Sequence, residues 1–139
     1  MVSRTNVSRY AGAPPEHGDH DRTIAGGPLY PASDVLAALQ DKGLVLWTQR
    51  SIRKAQELGL DADDVADLLR SALQQGRYKN SEWCQQKPDG PWAASDVYLL
   101  TRHEWNDRAF RELPAHYYLK FALAKSGRLV LTVSCHVQN

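Results

Sequence analysis

The sequence predicts an α+β domain, and three observations carry that expectation. Between Ser33 and Gly76 the apolar residues recur at helical spacing, in runs bracketed by capping residues and glycines. From Arg77 onward that period gives way to strand-length runs of β-branched and aromatic residues. The last stretch, HYYLKFALAKSGRLVLTVSCHVQ, has the pattern of a hairpin. A chain of 139 residues has room for one domain that buries its own core without disulfides or a metal. The expected arrangement is an antiparallel sheet with helices packed on one face and a flexible N-terminal tail.

Residues 1–27 are rich in Gly, Pro, Ser, Arg, His and Asp, with only Val2, Val7, Tyr10 and Ile24 as sizeable apolar groups. Burying so few groups does not offset an ordering entropy of about 1–2 kcal/mol per residue. This stretch is expected to be a disordered tail, with the folded domain over 28–139. Ser33 is the expected N-cap of a first helix that turns Val35, Leu36 and Leu39 to one side and stops at Gly43. Leu44–Trp47 reads as a short buried strand. Thr48 is placed to cap a second helix, with Ile52 and Ala55 inward, that ends near Gly59. Asp61 caps a third, whose first turn carries Asp63 and Asp64 where the helix dipole favours acids. Its Val65, Leu68, Leu69, Ala72 and Leu73 form one stripe, and Gly76 ends it. Asp96–Thr101 reads as a strand, and 102–115, charged and containing Pro114, as a loop.

The final hairpin allows a sharper expectation. Tyr117, Leu119, Phe121 and Leu123 share one parity, and Leu129, Leu131, Val133 and Cys135 share the apolar parity of the returning strand. A two-residue turn at Ser126-Gly127 pairs 124 with 129 and mixes the faces. A three-residue loop over Lys125–Gly127 pairs 124 with 128, gathers the apolar residues on one face and puts Gly127 at a left-handed position. The opposite face then aligns Lys120 with Thr132, Tyr118 with Ser134, and His116 with His136. One covered and one solvated face is the normal condition of an antiparallel sheet, and here the solvated one gathers proton donors and acceptors.

Composition excludes several classes. The 17 basic and 16 acidic residues leave a net charge of +1, without the global basicity of many nucleic-acid binders. The surplus is uneven: residues 28–76 hold 5 basic and 7 acidic side chains, and 77–139 hold 9 and 6, which favours a polyanionic partner for the C-terminal half. No run approaches the roughly 20 apolar residues of a membrane span. The N-terminus lacks the apolar stretch of a secretory signal, so a cytoplasmic location and no membrane partner are expected. Cys84 and Cys135 make no disulfide framework, and with His103, His116 and His136 they show no zinc spacing. Neither a G-x-S-x-G elbow nor a phosphate-cradling glycine loop is present. Among Trp47, Trp83, Trp92 and Trp105, packing is the first expectation; Trp83 and Trp92, beside the basic strand, are the best placed to stack on bases.

Lys79, Tyr118, Lys120 and His136 have two readings on residue type alone: a solvated polar face, which is the first expectation, and a site with a specific chemistry. Metal-free RNA cleavage needs a base for the ribose 2′-OH, positive charge on the scissile phosphate and an acid for the departing 5′-oxygen. Histidine, lysine and tyrosine supply these functions.

Several segments occur in a telling order: TQRSIRKAQELGLD (Thr48–Asp61), the Val65–Leu73 helix, RYKNSEW, SDVY (Ser95–Tyr98), YYLKFAL (Tyr117–Leu123) and LVLTVSCH (Leu129–His136). Together, over 28–139, they resemble the MqsR family of type II toxin–antitoxin toxins, which have a RelE-like fold. The resemblance implies an mRNA interferase: a cytoplasmic, metal-independent endoribonuclease that needs no cofactor and arrests growth until an antitoxin binds it. Its implied partners are mRNA and a cognate antitoxin, with the ribosome added in relatives that need it to position substrate. The family's functional Lys matches Lys79, and its functional Tyr matches Tyr118, followed by Lys120. A family Gln before D-V-Y falls on Ser95, with Gln85 and Gln86 as alternatives. A family Lys falls on His136, which can exchange a proton near neutrality where Lys cannot. Lys79, Tyr118 and His136 are therefore the expected catalytic residues; Arg77, Ser95, Lys120 and Arg128 are the expected RNA contacts. A catalytically inactive RNA- or protein-binding module on the same fold is the alternative, motivated by the replaced Gln and Lys.

Overall fold

The computed structural model describes residues 3–138. The chain forms β1 (Thr23–Ile24), α1 (Ala32–Asp41), β2 (Leu44–Leu46), α2 (Gln49–Leu58), α3 (Ala62–Gln75), β3 (Arg77–Gln85), β4 (Trp92–Asn106), β5 (Arg111–Leu123) and β6 (Val130–Gln138). The fold is α+β, with one six-stranded sheet in the order β1-β3-β4-β5-β6-β2. The sheet is mixed rather than antiparallel, because β2 runs parallel to β6 at the edge. As an edge strand β2 is half-buried, not the buried strand its apolar run suggested. Among the described residues no helix is long and apolar enough to cross a membrane.

Local capping chemistry sets the helix starts. The Thr48 side chain accepts from Ser51 N at 3.0 Å while the Ser51 hydroxyl accepts from Thr48 N, and Gly59 closes α2 in the left-handed region at φ 71°. Asp61 and Asp64 form the same reciprocal pair at α3. Ser33 does not cap α1. Pro31 precedes the first helical residue, its carbonyl accepts from Asp34 N and Val35 N, and Ser33 falls inside the first turn.

The core lies between the sheet and α1 and α3, where Val35, Leu39, Val65 and Leu69 meet Tyr98, Leu119, Phe121 and Val130. The second helix departs from the expected single helical layer. After β2, Trp47 N donates to Thr132 O and the Thr48 hydroxyl to Val133 O, so α2 continues alongside β6. Its Ser51 and Ala55 are fully buried there.

The stretch expected as a charged loop at 102–115 is the outer half of the β4–β5 hairpin, paired from Thr101↔His116 to Asn106↔Arg111. It runs past the ends of β3 and β6, so among the described residues its outer edges are unpaired. Pro114 lies beyond the last pair with β6, where a missing N–H leaves no ladder bond unmade.

The expected N-terminal tail also differs. Met1 and Val2 lie outside the described residues, but from Ser3 on the segment packs against the domain. Residues 5–9 enter between the start of β4 and the end of β5: Trp92 N donates to Thr5 O, Val7 N to Trp92 O, Arg9 N to Leu123 O and Lys125 N to Val7 O. Ser8 is 1% exposed, and its hydroxyl accepts from Ala94 N at 3.0 Å. Backbone groups and one hydroxyl make this attachment, so a count of apolar side chains did not reveal it. Farther on, the fully buried Asp96 carboxylate accepts from Leu29 N, Tyr30 N and the Ser81 hydroxyl, tying the approach to α1 onto the sheet.

Candidate active site

The hairpin has the expected faces only from Lys120 outward, and in a different register; near the turn Thr132, expected opposite Lys120 on the solvated face, is buried on the core side opposite Phe121, and Leu131 lies on the other side. Leu123 pairs with Val130, Ala122 with Leu131 and Phe121 with Thr132; beyond an irregularity, Lys120 pairs with Ser134, Leu119 with Cys135 and Tyr118 with His136. Val133 is the extra residue of a β-bulge. At the turn Ala124 N donates to Leu129 O, which is the register set aside on the sequence, and Gly127 takes the left-handed conformation at φ 73°. The bulge then returns Tyr118, Lys120, Ser134 and His136 to one face and leaves Leu119 and Cys135 on the core side. His116 pairs with Gln138 rather than lying opposite His136, and its Nδ1 is hydrogen-bonded to the Thr101 hydroxyl at 3.0 Å.

Tyr118 and His136 stack, with ring centroids 4.6 Å apart and planes inclined by 20°. Two ammonium groups lie against the same phenol ring: Lys79 Nζ and Lys120 Nζ are each 5.6 Å from its centroid. Lys79 reaches that position because it is the unpaired residue of a second bulge, between Tyr78 and Asn80 of β3. Bulges of this kind re-aim side chains beside functional sites. The register β3–β4–β5–β6 also places Arg77, Leu99, Tyr118 and His136 in one row across the sheet.

His136 is partly buried, and its Nδ1 is hydrogen-bonded to Ser134 Oγ at 3.2 Å. Burial, with the positive charges of Arg50, Lys54 and Lys120 around it, holds the imidazole pKa below the usual 6.5. The ring is consequently neutral at pH 7. In the tautomer that donates Nδ1–H to Ser134, the Nε2 lone pair is available as a base. Lys120 has only 15% of its side chain exposed and is ion-paired with Glu82. Burial opposes its charge, but Cys84, Glu82 and Tyr118 outweigh that effect and raise its pKa above the ordinary lysine value.

The other expected contacts separate. Arg77 is exposed on the same face. Ser95 belongs to that face by parity but is fully buried, its hydroxyl donating to Ala93 O at 3.4 Å. Arg128 is at the β5–β6 turn, ion-paired with Asp41 at 2.7 Å. It is eight residues before His136, roughly 25 Å along the strand direction at about 3.3 Å per residue, so the structure does not bring it to this group. Trp83 and Trp92 are buried in a small core with Ile24 and Ala94 and are closed to base stacking. The Gln85 and Gln86 amides, at the end of β3 and just beyond it, donate to Gly90 O and Trp47 O, each at 3.0 Å.

Three residues at the site had no sequence signal of their own. Arg50 and Lys54 lie one turn apart on α2 and reach His136 only because α2 flanks β6. Glu82 lies opposite Ser95, two residues along the strand from the bulge partner Asn80, and joins the site through Lys120. Comparisons with models of known protein families, with curated proteins and with solved structures returned no match.

Proposed function

We propose that this chain is an mRNA interferase: a RelE-like, MqsR-type toxin of a type II toxin–antitoxin system that cleaves RNA without a metal and is neutralised in the cytoplasm by a cognate antitoxin. One observation carries the reading. An imidazole held neutral at pH 7 stacks on a phenol flanked by two ammonium groups, on the sheet face that α1 and α3 leave uncovered. His136 Nε2 takes the ribose 2′-OH proton as the 2′-oxygen attacks phosphorus. Lys79 and Lys120 bear on the charge that builds on the non-bridging oxygens. The P–O5′ bond breaks, Tyr118 gives its proton to the leaving oxygen, and the imidazolium restores it. The products are a 2′,3′-cyclic phosphate and a 5′-hydroxyl, with no net proton change. Arg77, Arg50 and Lys54 border the site as contacts for flanking phosphates.

Glu82 favours the second reading, an RNA-binding module without catalysis, because its carboxylate occupies the Lys120 ammonium where a phosphate would go. Incubation with a long mRNA in excess EDTA separates the two. The first reading expects discrete cuts with 5′-hydroxyl ends, and a rate about 10²–10⁴-fold lower for His136→Ala. RNA that is bound and protected but never shortened, on or off the ribosome, supports the binding module and refutes the enzyme.

A further inference from the structure

On the far side of Ser134 from the stacked pair, a cleft of about 340 Å³ opens between the start of α2 and the segment that follows β3. Its walls come from Val133, Pro88, Gln86 and Arg50, with Lys87 and the exposed Gln49 at its mouth. It adjoins the proposed active site directly. Val133 is the bulge residue next to Ser134, whose hydroxyl is bonded to His136, and Arg50 both lines the cleft and acts on the His136 imidazole.

We propose that this cleft seats an unpaired nucleobase next to the scissile phosphate and makes cleavage sequence-selective; the inference rests on the ribonuclease reading above. The lining is largely apolar with a few fixed polar groups, the composition of a small-ligand site. Single-stranded RNA is read in this way, by apolar or planar groups on the base face and hydrogen bonds at its edge. Val133 and Pro88 offer surface for the face of a base, and the Arg50 guanidinium is a plane that can stack on it. Gln86 supplies the edge. Its Nε2 donates to Trp47 O at 3.0 Å, which fixes the amide plane and leaves its carbonyl oxygen and second N–H without a partner among the described residues. A fixed donor–acceptor pair discriminates among bases, because a mismatched edge leaves a buried polar group unpaired. Lys87 at the rim complements an adjoining phosphate.

The test is cleavage of a random-sequence single-stranded RNA pool in EDTA, with every cut position sequenced, for the parent protein, Gln86→Ala and Gln49→Trp. Gln86→Ala removes the reading group. Gln49→Trp fills the mouth from an exposed position and still decides the matter if loss of the Trp47 contact unfolds the first variant, which a thermal melt reports. The expected result is a parental preference of about tenfold or more at one base beside the cut, reduced to about twofold among the cuts each variant makes. Parental preferences that survive in both folded variants overturn the cleft assignment and leave the ribonuclease standing. Parental cutting without base preference does the same. A parent that cuts neither this pool nor mRNA on translating ribosomes overturns the ribonuclease and this inference together.

Discussion

Replacing Glu82 by Gln isolates the electrostatics of the site. The carboxylate is ion-paired with Lys120, whose side chain is 15% exposed, so the buried ammonium is committed to a protein partner until a phosphate displaces it. Among the described residues, Arg50, Arg77 and Lys79 border the same face without an ion pair, whereas Lys54 contacts Glu57 at 3.4 Å. Each phosphate neutralised on a single strand contributes a slope of about −0.7 to log K against log[salt]. Three unpaired cations therefore give a slope of about −2, and a fourth, freed by Glu82→Gln, steepens it to about −3. Between 50 and 200 mM salt the first slope corresponds to roughly a 20-fold loss of affinity and the second to roughly 50-fold. The assay is fluorescence anisotropy of a labelled single-stranded RNA, with His136→Ala as the background so that the probe stays intact. Arg128→Ala serves as a control and should leave the slope unchanged, because that side chain is paired with Asp41 at the far end of the hairpin. A Glu82→Gln slope equal to its background, or a background slope near zero, would refute the placement of RNA on this face.

Two further outcomes are expected. Because the His136 pKa is depressed by burial and then by Arg50, Lys54 and Lys120, cleavage should persist below pH 6.5 and fall only as the pH passes through the lowered value; Lys54→Ala should move that acid limb upward, and an unmoved limb in a pH–rate profile would show that another group titrates. Asp96→Ala should cost on the order of 3 kcal/mol in urea unfolding, since it leaves the Leu29 and Tyr30 amides without their acceptor. The raised Asp96 pKa, caused first by burial, means that the native state holds this proton more tightly than the unfolded chain. Its linkage contribution is full below pH 3.8 and is lost as pH rises through the folded value. Asp96→Ala should therefore cost more below pH 3.8 than at pH 7, because only the parent has this acid-side contribution to lose, and a loss under about 1 kcal/mol at pH 7 would show the carboxylate to be dispensable.

What was legible in the sequence follows the range of the interactions concerned. Thr48 and Asp61 were readable as caps because each makes its bonds within three residues of itself. The stripe of α3 was readable because helix geometry alone decides which residues share a face. Ser33 was misleading because the preceding proline already sets the helix entry. The attachment of residues 3–9 was invisible to composition, since it uses backbone groups that every sequence carries. Arg50, Lys54 and Glu82 were invisible for the converse reason. Their charges look like any solvated face until tertiary packing sets them beside His136 and Lys120.

The hairpin shows how a faulty premise can still select the right face. Gathering all apolar residues on one side assumed that only one side is covered, yet near the turn Phe121, Leu123 and Val130 are buried together with Ala122 and Leu131, which alternate to the other side. With both sides covered there, nothing penalises the tighter register, and the chain adopts it. Farther out, Lys120 and Tyr118 lie next to Leu119, so the strands must alternate strictly; continuing the turn's register would set Tyr118 opposite Cys135 and turn His136 toward the core. A single extra residue at Val133 removes the conflict. It lets the turn keep one register and the site another, and the same residue forms a wall of the cleft beside Arg50 and Gln86. The position that makes the Tyr118–His136 stack possible therefore also shapes the proposed base-reading pocket, which couples the geometry of the chemical step to that of substrate selection.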